Sequence, residues 1–167
     1  MFELLGDSAY QHILLNHLPV SGLAIAVLVL AAGLVLRQDM IVRTGLVLVA
    51  LMAGVSAFVG LTGDNAYPAT YDALDGDGRS WLDYHTYLAD KWLPLLYANS
   101  ALAAAVFILG IVRRQLLFPA AILVMLVTFV GLGFAGQIAE AGGKIKHPEF
   151  RLEDPPVYES PRRLRER

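Results

Sequence analysis

The sequence contains no cysteine and few charged residues. Without cysteine there is no disulfide, thiolate metal site, iron–sulfur cluster or thioether-attached c-type haem, so any metal must be held by histidine, carboxylate or methionine. Charged residues make up 17% of the 167 residues against 56% hydrophobic ones, which is too apolar for a water-soluble domain. The formal charge of −2 also lacks the basic surface that nucleic acids require. The composition therefore indicates a membrane protein with no nucleic-acid partner.

Four stretches without a charged residue predict four membrane-crossing helices. A stretch of about 20 residues rises 1.5 Å per residue and crosses a hydrocarbon core of roughly 30 Å. The connections at 37–43 and 113–115 are so short that the helices they join must be antiparallel. We therefore predict an all-α fold, an integral membrane antiparallel four-helix bundle in contact with the lipid bilayer. Its spans are expected at 18–36, 44–62, 92–112 and 116–136.

The remaining residues fall mainly on one side of the predicted bundle. They form an N-terminal segment, an external loop at 63–91 and everything after the fourth span. We divide the chain into a transmembrane domain, 1–141, and a polar C-terminal tail, 142–167. The tail is charged, rich in proline and without periodicity, which predicts an extended segment. A break at Gly142 and Gly143 is expected to end the last helix.

The distribution of arginine and lysine predicts the orientation. The two tight connections hold four arginines, whereas the external loop holds only Arg79 and Lys91. By the positive-inside rule the tight connections are cytoplasmic, and the large loop and both termini lie outside. The basic residues of the C-terminal tail oppose this assignment.

All four histidines, His12, His17, His85 and His147, fall on the external side of this topology. His17 precedes the first span by one residue, and an ionisable residue at that depth is a candidate for function, although interfacial histidines also serve as amphipathic anchors. His12 and His17 are separated by about 140° around a helix, so they cannot share one small metal. Each therefore needs a partner from another helix, for which His85 and His147 are the candidates.

Pro19 leaves two interpretations of the first span open. If the helix begins just before Pro19, the proline occupies the first turn, where its missing N–H needs no partner. If the helix begins near Ser8, Pro19 kinks it and frees the carbonyl of Leu15.

The external loop contains the sequence DGDG, but an EF-hand alignment puts Ala73 and Tyr84 where an Asp and a Glu are required. We predict a turn instead, followed by an amphipathic helix that Ser80 caps and that carries His85 among its apolar residues.

Several further residues have two interpretations each. Lys144, Lys146 and Arg79 are candidates to neutralise haem propionates, or they are ordinary headgroup contacts. Asn99 and Ser100 are expected to hydrogen-bond between helices, and Asn16 or Asn99 is a candidate to orient a metal ligand. Small residues in the second and fourth spans either compact the bundle or clear space for a flat cofactor: Ala50, Gly54, Gly60, Gly131, Gly133, Ala135 and Gly136.

Three segments, HILLNHLPVSG (12–22), LTGDNA (61–66) and GGKIKHPEF (142–150), together with the histidine ahead of the third span, resemble a bacterial family. It is a large group of small four-helix membrane proteins that carry only a domain-of-unknown-function label. The resemblance covers residues 10–150. The chain departs from the family pattern at Thr86, where an acidic residue is usual, and ahead of the glycine pair, where a histidine is usual. The resemblance implies b-type haem binding or a redox-partner role in the bacterial inner membrane.

These observations lead to one leading hypothesis and two alternatives. The leading one is a haem b-binding electron-transfer membrane protein whose iron is held by His17 and His85, with His12 and His147 as alternates or a second pair. It would exchange electrons with a soluble cytochrome, such as a cytochrome c, or with quinone.

The first alternative is a non-catalytic accessory subunit of a larger respiratory complex that binds no cofactor. The second is a copper or zinc site built from three histidines, with Asp64 or Glu140 as a carboxylate ligand. The sequence shows neither a nucleophile with its base nor a nucleotide-binding glycine pattern, so we expect no independent catalytic activity.

Overall fold

The protein is an all-α bundle in the computed structural model, which describes residues 6–158. Four helical segments are long and apolar enough to cross a membrane, which confirms the predicted multi-pass membrane bundle. The first crosses as two helices joined by a π-helical turn, Leu18–Gly22. Residues 1–5 and the end of the predicted tail, 159–167, lie outside the described residues. The helices are Ser8–Leu15 (α1), Leu23–Leu36 (α2), Asp39–Asp72 (α3), Gly76–Val112 (α4) and Leu117–Lys146 (α5).

The helices pack in a closed ring in which α2 contacts α3, α3 contacts α4, α4 contacts α5, and α5 returns to α2. Two polar contacts, one buried and one partly buried, cross the apolar core. Asn99 Nδ2 donates to Thr128 Oγ1 at 3.0 Å, and Ser100 Oγ donates to the carbonyl of Ala50 at 2.7 Å. These bonds join α4 to α5 and to α3, which confirms the predicted role of Asn99 and Ser100.

The helical segment that carries the first span begins at Ser8, ahead of the predicted start at residue 18, as the second interpretation of Pro19 requires. The Asp7 carboxylate caps α1 by accepting from the Tyr10 amide at 2.8 Å. Pro19 lies eleven residues after Ser8, inside the π-helical turn. Because proline lacks an amide hydrogen and its ring clashes with the preceding turn, the helix widens locally instead of continuing as a regular α-helix.

Helices α3 and α4 are much longer than predicted. They contain 34 and 37 residues, or about 51 and 55 Å against a hydrocarbon core of roughly 30 Å. The predicted external loop 63–91 is therefore mostly helical, and only residues 73–75 connect the two helices. Asp75, not Ser80, caps α4 by accepting from the Gly78 amide at 2.6 Å. Above the membrane core the hairpin buries a second apolar cluster that holds it together: Tyr67, Trp81, Leu82 and Ile145.

Helix α5 continues through Gly142 and Gly143 to Lys146, so the predicted break there is wrong, and the boundary at 141/142 falls inside a helix. A glycine inside a helix costs about 1 kcal/mol relative to alanine. Here the missing side chain gives room to a neighbour, since a Cβ at Gly142 would lie 3.2 Å from Cε1 of His85. Close packing therefore offsets the unfavourable propensity.

Aromatic and basic side chains mark the level where the hydrocarbon ends on α4. Lys91 Nζ lies 5.0 Å from the Trp92 ring centre and 5.6 Å from that of Tyr87, a combination typical of membrane interfaces. His85 lies about 10 Å beyond Trp92 along the helix, at headgroup depth. We call the end of the bundle that carries residues 6–17, 63–91 and 137–158 the histidine end.

Candidate functional site

Two imidazoles from different spans meet at the histidine end. His12 on α1 and His85 on α4 have ring centroids 6.3 Å apart, and their ring planes are inclined by 87°. Both side chains are partly buried. The convergence of histidines from separate helices, which the sequence analysis required, is therefore present for this pair.

Each ring is held by a backbone carbonyl of a neighbouring helix. His12 Nδ1 lies 2.9 Å from the Val59 oxygen on α3, and His85 Nδ1 lies 2.8 Å from the Ile138 oxygen on α5. A carbonyl oxygen only accepts, so Nδ1 carries the hydrogen in both rings. The lone pair of each neutral ring is then on Nε2. This tautomer and this type of carbonyl partner are typical of metal-ligating histidines.

A glycine lies beside each ring, four residues after the carbonyl that holds it. A Cβ at Gly63 would lie 2.9 Å from Cε1 of His12, and one at Gly142 would lie 3.2 Å from Cε1 of His85. The α1–α3 and α4–α5 pairs thus repeat the same arrangement. Both glycines belong to the segments LTGDNA and GGKIKHPEF, whose sequences did not predict a contact with the rings. The glycines proposed from the sequence for a flat cofactor include Gly133 and Gly136, which have nothing within 4 Å of an added Cβ.

His17 and His147 point elsewhere. His17 is exposed and does not cap the π-helical turn that follows it. His147 is exposed, bonds through Nδ1 to Glu149 at 2.9 Å and stacks on Phe150. The structure therefore brings His12, rather than the expected His17, to His85. The reason is rotational, because a separation of five positions turns His12 and His17 to different sides of the helix.

Two of the three basic residues proposed to neutralise haem propionates bond to other groups of the protein. Arg79 donates to the carbonyls of Tyr71 at 3.0 Å and Asp72 at 3.3 Å, where it satisfies the end of α3. Lys144 is buried and pairs with Glu140 at 2.9 Å and Glu153 at 3.1 Å. Lys146 is exposed in the last turn of α5.

A buried polar atom next to His12 lacks a hydrogen-bond partner among the described residues. It is Oδ1 of Asn16, one helical turn after His12 on α1. Buried carbonyl oxygens are almost always paired, so an orphaned one indicates a missing donor such as a water or a ligand. Asn99, the other predicted orienting residue, bonds to Thr128 in the core instead.

A buried hydrogen bond that the sequence analysis did not single out lies beside the histidine pair. Tyr67 on α3 and Asp83 on α4 are 2% and 0% exposed, and the Tyr67 hydroxyl donates to Asp83 Oδ1 at 2.5 Å. Thr86 Oγ1 donates to the Asp83 backbone carbonyl at 2.8 Å. The Tyr67–Asp83 bond joins α3 to α4 two residues before His85, and the Thr86 bond lies within α4.

Outside the membrane, hydrogen bonds lower the pKa values of two carboxyls. The Arg151 guanidinium and then the Gly78 amide hold the pKa of Asp75 below its usual value. The pKa of Glu149 is lowered by its own backbone amide and then by His147. Both carboxylates therefore stay charged in mildly acidic solution.

The three-histidine metal site is not assembled. In residues 6–158, which contain all four histidines, no group of three or more His, Asp or Glu side chains converges to hold a metal ion. Of the carboxylates proposed for it, Asp64 is exposed and Glu140 pairs with Lys144. The donor set present is two imidazoles.

Comparison with known proteins gives no relative. The chain matches no family model, no curated protein and no solved structure. The resemblance to the bacterial four-helix family therefore stays a prediction, and the geometry of the site carries the functional argument.

Proposed function

We propose that the protein binds haem b and transfers electrons, with His12 and His85 as the two axial ligands. A metal-bound imidazole nitrogen lies about 2.0 Å from the metal, and the ring centre lies roughly 1.2 Å further out. Two imidazoles that held one iron between them would therefore have centroids about 6.4 Å apart. The observed separation of 6.3 Å is the single observation that carries the proposal.

The residues around the pair fit such a group. The Nδ1 bonds to the Val59 and Ile138 carbonyls fix both ring planes and make Nε2 a better ligand. Gly63 and Gly142 admit the rings against the helices. The haem, when bound, supplies one-electron chemistry at the iron.

The position of the pair favours an electron partner outside the hydrocarbon. The histidine end lies beyond the interfacial residues Lys91 and Trp92, within reach of a soluble cytochrome c, and quinone in the adjacent leaflet is the other candidate. We place the protein in the bacterial inner membrane with the histidine end outside, as the arginine distribution of the tight turns indicates.

Absorbance of the purified protein tests the proposal. We expect a Soret band that shifts on reduction with dithionite, lost in His12→Ala and His85→Ala. The matched controls, His17→Ala and His147→Ala, should keep the spectrum, since both side chains are exposed and point elsewhere. Unchanged spectra in both His12 and His85 variants would overturn this ligand pair. A folded wild-type chain that takes up no haem on titration would overturn the function.

The same ring contact also fits the accessory-subunit alternative, in which the two histidines only pack against each other. Edge-to-face rings with centroids about 4.5–7 Å apart are ordinary aromatic packing, and 6.3 Å falls in that range. In that case the purified chain is colourless and co-purifies with a larger respiratory complex. Stoichiometric copper or zinc in colourless protein would instead support a metal site.

A further inference from the structure

A segment after α5 folds back over the histidine end, and Arg151 is its main attachment. We call residues 147–158 the strap. The Arg151 side chain is 10% exposed. Its Nε donates to the Lys144 carbonyl and its Nη2 to the Ile145 carbonyl, both at 2.8 Å. These carbonyls belong to the last turn of α5, where helical partners run out. Arg151 therefore completes the end of α5.

The same guanidinium reaches the start of α4. Nη1 of Arg151 lies 3.2 Å from Oδ2 of Asp75, the residue that caps α4. A planar fork with several donors suits simultaneous contact with two carbonyls and a carboxylate, and a lysine ammonium cannot reproduce it. One side chain thus joins the last turn of α5 to the first turn of α4.

A second contact of the strap reinforces the junction. Lys144 pairs with Glu153 of the strap, and its Nζ lies 4.5 Å above the ring of Trp81 on α4. Trp81 is 1% exposed and packs in the cluster that includes Ile145. Charged interactions as well as apolar burial therefore hold α4 and α5 together at the outer end of their contact.

His85 lies on this α4–α5 interface, one helical turn beyond Trp81. Residues four apart share a helix face, so Trp81 and His85 both face α5. Trp81 meets the end of α5, and His85 meets Gly142 and the Ile138 carbonyl a little further down. His12 is anchored on α3 instead, through the carbonyl of Val59. A loosening of the end of α5 would therefore disturb the orientation of the His85 ring before that of the His12 ring.

We propose that Arg151 is a positioning residue for His85. It holds the end of α5 against α4 so that the Ile138 carbonyl keeps the His85 ring in its ligand orientation. The inference rests on the proposed function only in treating that orientation as a ligand orientation. The strap thereby sets the orientation of the His85 ring and leaves that of the His12 ring unaffected.

The experiment measures each imidazole separately. In haem-free, isotope-labelled protein, the Nδ1 hydrogens of His12 and His85 are followed by NMR through their exchange with water. We expect Arg151→Gln to speed exchange at His85 by about tenfold or more, with His12 unchanged. Asp75→Asn keeps a side chain that can cap α4 but loses the ion pair, so it should act in the same direction, and it decides the question if Arg151→Gln does not fold. Glu149→Gln is the matched control. It also removes a negative charge from the strap, but Glu149 pairs with His147.

The outcomes separate the two proposals. Faster exchange confined to His85 in Arg151→Gln and Asp75→Asn, with Glu149→Gln unchanged, supports the positioning role. Equal acceleration at both histidines means general loosening and overturns it, as does unchanged exchange at His85. A wild-type chain that binds no haem while His85 responds selectively overturns the haem proposal alone. In haem-loaded Arg151→Gln we expect part of the low-spin spectrum to become high-spin, as the His85 ligand is lost.

Discussion

The Tyr67 hydroxyl donates to a carboxylate oxygen of Asp83 with both side chains buried, and this bond joins the two long helices two residues from His85. A buried carboxyl group depends strongly on its hydrogen-bond partners, because leaving it unsatisfied in a low-dielectric interior costs its desolvation energy. The bond is therefore a sensitive point of the α3–α4 hairpin.

We expect Tyr67→Phe to lower the free energy of unfolding by about 1–3 kcal/mol, because it removes a donor to Asp83 and leaves the ring packing in place. Denaturant or thermal unfolding in detergent measures the change. Tyr10→Phe is the control, since Tyr10 is 39% exposed. Combining Tyr67→Phe with Asp83→Asn should cost less than the two single changes added together. Strict additivity would show that the two residues do not interact.

Gly63→Ala tests the clearance beside His12. Its Cβ would lie 2.9 Å from the ring, so the imidazole must move and lose its bond to the Val59 carbonyl. We expect haem uptake to fall at least several-fold, with an overall fold that stays helical. Gly133→Ala is the matched control because nothing lies within 4 Å of its Cβ, and its uptake should equal that of the wild type. Equal haem uptake in the two variants would contradict the ring placement.

The 87° angle between the imidazole planes predicts a spectroscopic signature. Perpendicular axial planes give ferric haem a strongly anisotropic low-spin EPR signal, whereas parallel planes give a rhombic one. The carbonyl bonds at both Nδ1 atoms should hold that angle when haem is bound. Frozen-solution EPR of the oxidised protein measures it directly. A rhombic low-spin signal would mean that the rings turn on loading.

The attachment of the strap should depend on pH, because it includes the ion pair between Arg151 and the Asp75 carboxylate. Hydrogen bonds from Arg151 and from the Gly78 amide hold the pKa of this carboxyl below its ordinary 3.8. A carboxyl whose pKa is lowered by folding stabilises the folded state fully above its unfolded pKa, and this contribution is lost as the pH falls through the folded value. We therefore expect the strap to be attached at pH 5 or above and to loosen below about pH 4.

Trp81 reports on this transition, since it lies under Lys144 beside the strap. In a Trp92→Phe background its fluorescence should be constant from neutral pH down to about 5 and should change below about pH 4. Asp75→Asn should remove this step. Persistence of the same step in Asp75→Asn would assign the transition to other carboxyls, such as Glu149.

The four spans were predictable because about 20 consecutive residues without charge have few alternatives to a membrane helix. The extension of α3 beyond residue 62 was not, since charged residues such as Asp72 made it look like a loop. A helix from about Ser80 was predicted, and α4 begins four residues earlier, at Gly76. What makes the extension of α3 helical is the packing of Tyr67 on α3 against the Trp81 region of α4, which depends on how two distant segments meet.

Part of the candidate site could also be predicted. His85 was identified from its place among apolar residues, and the need for a second helix followed from the angular separation of His12 and His17. The choice of His17 over His12 as the ligand depended on how close each lies to the membrane span, which favoured His17. The rotation of α1 about its axis decides instead which histidine faces His85. That rotation depends on the Asp7 cap and on the π-helical turn at Pro19. A π-helical turn is wider than an α-helical one, and a regular helical wheel does not include this difference.

The π-helical turn at Pro19 also makes the two imidazoles mechanically unequal. His85 belongs to a continuous helix of 37 residues that the strap and α5 brace. His12 stands on an eight-residue helix joined to the rest of its span through an irregular turn. A short helix hinged in this way swings at lower free-energy cost than a long braced one. If haem binds as proposed, we therefore expect α1 to move aside when the flat macrocycle enters and α4 to keep its position.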